Sequence, residues 1–170
     1  MPVRLDDIDG AELLEAERDI QAKLGADARF DFASLQAISN IYRAATAVRN
    51  HMERRLLTEH GLSWGGFTVL FVLWVWGPHE SHRLADECGL AKGTLTGVVA
   101  TLEKNDLVQR RRLEDRRRVE VSITPAGRAL IEAIYPDFHA REVELTSALG
   151  DLESKQLAAM LRSIIVRAAD

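Results

Sequence analysis

Between Leu90 and Phe138 the apolar residues change period twice, and few folds accommodate that order. Leu95, Val98, Val99 and Leu102 recur at i, i+3, i+4 and i+7, the spacing of one helical face. From Leu107 the period drops to two. Val108, Arg110 and Arg112 alternate along one run, and Val119, Val121 and Ile123 along its partner, with Glu120 and Ser122 turned outward. Thr124-Pro125 then reads as the N-cap and first residue of a long helix. Leu130, Ile131, Ile134 and Phe138 form its apolar side, and Pro136 is expected to kink it. A recognition-sized helix thus runs into a β-hairpin whose tip holds six arginines within residues 110–118.

The upstream residues complete a motif. Ser63 opens "WGGFTVLFVLWVWG", in which Phe67, Leu70, Phe71 and Trp74 share one face while Val69, Leu73 and Trp76 fill the others. A helix apolar all round is enclosed on all sides. Ser81 is placed to cap a short helix, "HRLADEC", stopped by Gly89. Helix, tight turn, helix and hairpin make a winged helix-turn-helix, so the expected fold is mainly α with a small two-stranded β-wing. Ahead of it, Ser34 caps a long helix with Leu35, Ile38, Tyr42, Ala45, Val48, Met52 and Leu56 on one face, ended by Gly61. Asp9 and Glu12 resemble a capping box for a leading helix through Leu13, Ala16, Ile20 and Leu24 to Gly25. A last helix starts near Gly150-Asp151 with Leu157, Met160, Leu161, Ile164 and Ile165.

The expected organisation is one domain overall. Residues 1–33 form an N-terminal extension with a short helix, 61–124 the winged helix-turn-helix, and 34–60 with 125–170 long helices beyond what one such module can cover. That surplus of amphipathic helix predicts dimerisation through the chain ends.

Charge supports a one-sided surface. The formal net charge is −4, yet residues 34–60 carry +2 and residues 91–120 carry +3, while residues 1–33 alone carry −5. A local basic face on an acidic body suits a polyanion bound at that face. The single cysteine, Cys88, excludes an internal disulfide and fits a reducing compartment. The acidic start lacks a signal core, and the apolar run 67–76 is too short to span a bilayer. A cytoplasmic protein with no membrane partner is expected.

With its apolar stripe turned inward, helix 92–105 presents Lys92, Thr94, Thr96, Gly97, Ala100 and Lys104, together with Gly93. Threonine methyls can touch thymine, and glycines let the backbone approach a groove closely. The bland alternative is a small-residue stripe packed on another helix. On the hairpin, Arg116 and Arg117 at the tip suit a narrow, electronegative minor groove, with Asp115 orienting Arg117. Arg110 and Arg112 are expected to touch phosphates or buttress the wing. The alternative there is a solvated charge run.

A rival reading uses "HESH". His79, Glu80 and His82 have a spacing that could ligate zinc in a small metal-dependent enzyme, although exposed histidines in a turn explain it as well. Cys88 reads as a small buried hydrophobe. No Ser-His-Asp set, phosphate loop or spaced carboxylate pair declares itself, so no catalysis and no cofactor is expected.

"LADECGLAKGTLTGVVATLEKNDLVQRR" followed by "EDRRRVEVSITPAGRAL" resembles the MarR family of transcription regulators, and the likeness runs from about Ser34 to Ala168. Asp115, Arg117, Ile123, Thr124 and Gly127 occupy the positions of that family's wing motif. The resemblance implies a homodimer on a palindromic operator in double-stranded DNA, usually repressing, and often released by a small aromatic acid. Tyr42, Arg49, Phe67, Phe71 and Trp74 are the residues placed for such an effector, between the dimer helices and the DNA-binding module. The chain departs from the family in a wing about one residue shorter, in lacking the wing's usual early Asp or Asn, and in Gly97, where a basic residue is frequent. Its leading helix is similar to that of the urate-responsive branch, but Ile20 and Thr68 stand where that branch has a tryptophan and an aspartate.

Overall fold

The computed structural model describes residues 13–25, 27, 29–115 and 118–169. In chain order these form α1 (Glu15–Leu24), α2 (Phe32–Arg55), a 3-10 turn (Leu57–His60), α3 (Trp64–Trp76), β1 (His79–Glu80), α4 (Ser81–Glu87), α5 (Lys92–Lys104), β2 (Val108–Arg112), β3 (Val119–Ile123), α6 (Pro125–Leu145) and α7 (Asp151–Ala169). They divide into two compact units: residues 49–141, and the described residues on either side of that span. The divisions fall inside α2 and α6.

The 49–141 unit holds the apolar core. Met52, Leu57, Leu70, Leu73, Leu84, Ile131 and Ile134 are wholly buried, joined by Leu95, Val99 and Leu102 of α5 and by Val108 and Val121 of the hairpin. Helix α3 is enclosed through Leu73, as its all-round apolar sequence requires. Its last turn is not: Val75 and Trp76 are exposed. Ser63 caps it by accepting the Gly66 N–H at 3.1 Å, and Gly61, in the left-handed region at φ 68°, closes the preceding turn.

The sheet has three strands, in the order β1-β3-β2, all antiparallel. The third strand is His79–Glu80, paired with Val121 and Glu120, and it is too short for a period-two pattern to reveal. Two expected caps also fall elsewhere. Ser81 Oγ donates to the Val119 carbonyl at 3.1 Å and so ties α4 to β3. At the start of α2 the capping carboxylate is Asp31, which accepts from the backbone N–H and the hydroxyl of Ser34. Pro136 is accommodated within α6, which runs on to Leu145.

In the other unit, α1 docks on α2 through a buried carboxylate. Glu17 accepts from the Leu14 N–H at 2.9 Å, Asn40 Nδ2 at 2.9 Å and Gln36 Nε2 at 3.2 Å. These donors, the Leu14 N–H first, hold its carboxyl below the ordinary range. The Asp9–Glu12 box lies outside the described residues. Helix α7 buries none of its residues within the chain, and Ile38, Tyr42, Leu152, Met160, Ile165 and Val166 are exposed.

Candidate nucleic-acid interface

Helix α5 is anchored by Leu95, Val99 and Leu102, which leaves Lys92, Gly93, Thr94, Thr96, Gly97, Ala100 and Lys104 exposed along its opposite side. A Cβ added at Gly93 or Gly97 would meet nothing within 4 Å. Among the described residues of the 49–141 unit no helix packs there, so the small-residue stripe is an open surface of that unit. The Thr96 hydroxyl donates to the Lys92 carbonyl at 2.9 Å, which leaves its methyl as the unengaged part of the side chain. A face of methyls, glycines and flanking lysines can approach base edges closely with few hydrogen-bonding groups of its own.

The hairpin stands beside this face because one junction holds it there. The Leu107 carbonyl accepts the Thr124 N–H at 3.1 Å. Thr124 Oγ1 donates to the Asp106 carbonyl at 2.6 Å and accepts the Gly127 N–H at 3.0 Å, capping α6 as its Thr-Pro sequence predicts. Gly127 has a steric reason to be glycine. A Cβ there would lie 2.9 Å from the Leu107 carbonyl carbon, closer still to its oxygen, and 3.0 Å from Ile123 Cγ1.

Along the hairpin, Arg110 faces Val121 and Arg112 faces Val119. Arg110 reaches back to α5, its Nε 2.9 Å from Glu103 Oε2, with a second bond from Nη2. Arg111 pairs across the strands with Glu120 at 2.9 Å. Arg118 donates from Nε to Glu80 Oε2 at 2.8 Å and from Nη2 to Glu80 Oε1. The guanidinium beside each holds the Glu80 and Glu103 carboxyls below the ordinary carboxylate value. The arginine run is thus divided. Arg110, Arg111 and Arg118 brace the wing, whereas Arg112 is exposed and forms no ion pair among the described residues. The tip is closed by Leu113 N–H to the Arg118 carbonyl at 3.0 Å and Arg118 N–H to the Asp115 carbonyl at 2.8 Å. Arg116 and Arg117 lie outside the described residues. Glu80 foremost, and the charge of Asp115 to a lesser degree, favour the charged form of the Arg118 guanidinium.

The remaining sequence candidates separate. Glu80 is committed to Arg118, His82 Nδ1 lies 3.6 Å from Glu80 Oε2, and His79 Nδ1 is 2.8 Å from the Gly77 carbonyl. Among the described residues no group of three His, Cys, Asp or Glu is arranged to hold a metal ion. The half-buried Cys88 packs against the core, and burial, with Glu87 adding, pushes its thiol up to about 11. Phe67, Phe71 and Trp74 do come together. Phe67 is 4% exposed and stacks on Phe138 at 4.2 Å, Phe71 stacks on Tyr135 at 5.5 Å, and Trp74 Nε1 donates to Glu132 at 3.2 Å. Arg49 is exposed, and Tyr42, which belongs to the other unit, is 72% exposed. No helix among the described residues is long and apolar enough to cross a membrane.

Sequence reasoning passed over Glu80, His82, Glu103 and Arg118 as members of this surface. Glu103 lies seven residues from Arg110 and Glu80 thirty-eight from Arg118, with a change of element between the partners, so no local pattern marks the pairs.

An open helical face with a braced basic hairpin at its flank is how a winged helix-turn-helix meets a duplex, and the chain is a DNA-binding protein of that class. It belongs to the MarR family of transcription regulators, whose pattern residues 62–119 match. It is 38% identical over 157 residues to the HTH-type transcriptional regulator YwaE of Bacillus subtilis, covering 90% of this chain and 91% of that one. It is 33% identical over 133 residues to the HTH-type transcriptional regulator MhqR of the same organism, covering 77% and 90%. Among solved structures it is similar to NadR in complex with 4-hydroxyphenylacetate, with a TM-score of 0.63, 25% identity, and coverage of 74% of this chain and 89% of that one.

Proposed function

We propose that this regulator acts as a homodimer on a palindromic operator, as a repressor, and that a small aromatic acid relieves it. The open face of α5 carries the reading: Thr94, Thr96, Gly97 and Ala100 enter the major groove, Lys92 at the leading end of the helix, Lys104 and Arg112 meet phosphates, and Arg116 and Arg117, the latter oriented by Asp115, enter the adjacent minor groove. Arg110 serves by holding the hairpin against Glu103. A chain of this kind works where the DNA lies, in the cytoplasm.

Dimerisation is supported by the apolar residues that α2 and α7 leave exposed, such as Ile38, Met160, Ile165 and Val166, on helices with too little to pack on within one chain. A second copy presents the same faces and covers them symmetrically. The effector reading rests on the aromatic cluster around Phe71, Trp74 and Tyr135 and on the phenolic acid bound by NadR. Urate is not the ligand this chain favours, since Thr68 offers a hydroxyl already donated to the Trp64 carbonyl at 2.8 Å.

Selection of bound sequences from random duplexes, followed by mobility shifts, tests the DNA reading, and an inverted repeat with half-sites about one helical turn apart is expected. Sedimentation of a folded monomer at micromolar concentration overturns the dimer. Benzoates, salicylates and phenols should quench tryptophan fluorescence and release the operator in parallel, because a ligand shifts binding only if it prefers the non-binding state.

A further inference from the structure

A helix in the major groove and a wing in the adjacent minor groove are separated by one sugar–phosphate strand, which must cross the gap between them. In this protein that gap is a cleft of about 370 Å³ bounded by Glu80, His82, Lys92, Leu95, Thr96 and Arg118. Its hydrogen-bond donors come from three separate elements: His82 on α4, Lys92 on α5 and Arg118 where the hairpin returns to β3. We propose that this cleft seats one backbone phosphate of each half-site, bound by Lys92, His82 and Arg118, and that Glu80 weakens the contact by competing for Arg118. The inference rests on the DNA-binding reading and deepens it.

The geometry fits this division of labour. Glu80 is the more enclosed partner, its side chain 16% exposed against 55% for Arg118 and 57% for His82. A guanidinium has five N–H donors. Glu80 takes the Nε–H and one Nη2–H, so the outer edge of Arg118 keeps donors for a second anion. A phosphate entering the cleft would find a preoriented fork, a lysine and an imidazole around a floor formed by Leu95. It would also find the Glu80 carboxylate, whose charge opposes its own. Such a carboxylate tunes affinity downward, which lets a regulator leave its operator.

The test replaces each linkage of the selected operator, one at a time, with a neutral methylphosphonate and reads affinity by fluorescence anisotropy at two salt concentrations. With the wild-type dimer, one linkage per half-site, between the major-groove and minor-groove segments, should cost about tenfold, the scale of charged hydrogen bonds. The same substitution should cost Lys92→Gln and His82→Gln much less. Glu80→Gln should bind the unmodified operator several-fold tighter and steepen the salt dependence, having one more cation free for phosphate. If Glu80→Gln does not fold, the exposed His82→Gln carries the comparison. The proposal is overturned if no linkage depends on Lys92 or His82, or if a folded Glu80→Gln binds no tighter. It is also overturned if inorganic phosphate, at constant ionic strength, displaces wild type but not Lys92→Gln while the linkage scan stays flat, for the cleft then holds a free ion. Failure of the DNA reading itself looks different: no operator is selected at all.

Discussion

Arg110 of β2 and Glu103 of α5 are joined through two guanidinium nitrogens, Nε lying 2.9 Å from Glu103 Oε2. The pair fixes the wing to the recognition helix, so neither can present its surface independently of the other. An arginine already held by a carboxylate adds little net charge to the surface. Arg110→Ala should therefore lower operator affinity while leaving the salt slope nearly unchanged. Arg112→Ala, removing a cation that forms no ion pair among the described residues, should flatten that slope by about one unit. Anisotropy titrations over a range of salt distinguish them, and a full unit lost with Arg110→Ala would make it a phosphate contact.

Arg117 is expected to read the minor groove. Arg117→Ala should cost about 1–3 kcal/mol of specific affinity per contact, the scale of a groove contact. The loss should be greatest on A·T-rich flanks, where the groove is narrow and most negative. Asp115→Ala should reproduce part of the effect. Wild-type affinity of Arg117→Ala for the selected operator at physiological salt excludes the wing as a reader.

Gly127→Ala should be destabilising out of proportion to one methyl group. Its Cβ would lie 2.9 Å from the Leu107 carbonyl carbon, and that carbonyl is already fixed by the Thr124 N–H. Overpacking of this kind costs about 1–3 kcal/mol. Because the junction sets the hairpin against α6, urea denaturation and operator affinity should fall together. A variant of unchanged stability would mean that the backbone there yields freely.

Acid should loosen the wing. Glu80 and Glu103 titrate below the ordinary carboxylate value of 4.5 because their arginines favour the charged form. Groups lowered in the folded state stabilise it above the unfolded value, and that contribution is lost as pH falls through the lowered one. Intrinsic fluorescence followed from about pH 5 to pH 3 should show a shallower acid dependence in the Glu80→Gln/Glu103→Gln variant than in wild type. Superimposable profiles would remove these pairs as the cause.

Cys88 should be a poor nucleophile. With its thiol pushed up to about 11 from an ordinary 9.0, it holds roughly a hundredfold less thiolate at pH 8 than an unperturbed thiol, since only the thiolate reacts. Alkylation by iodoacetamide in the native protein should be slower by that order and recover on unfolding. Fast native labelling would contradict the half-buried placement.

The elements were legible in the residues because their signals are local. The change of period at Leu107, the Thr124-Pro125 start of α6 and the all-round apolar α3 each depend on neighbours a few positions apart. The open outer face of α5 was legible too, since helical geometry alone places Gly93, Thr96, Gly97 and Ala100 opposite Leu95, Val99 and Leu102. Where local signals compete, the tertiary structure chose. Ser81 is a good N-cap by residue type, yet the Val119 carbonyl thirty-eight residues on drew its hydroxyl away, whereas at α2 the choice of Asp31 over Ser34 stayed local, three residues apart. Which arginines are free was not legible at all. Arg110, Arg111 and Arg118 look identical to Arg112 along the chain. A carboxylate seven, nine or thirty-eight residues away becomes a partner only once α4, α5 and the hairpin have packed. Charge run and helix periods were therefore properties of the sequence alone. The division of that run into bracing and binding arginines belongs to tertiary structure, because Coulombic pairing depends on distance in space and is indifferent to distance along the chain.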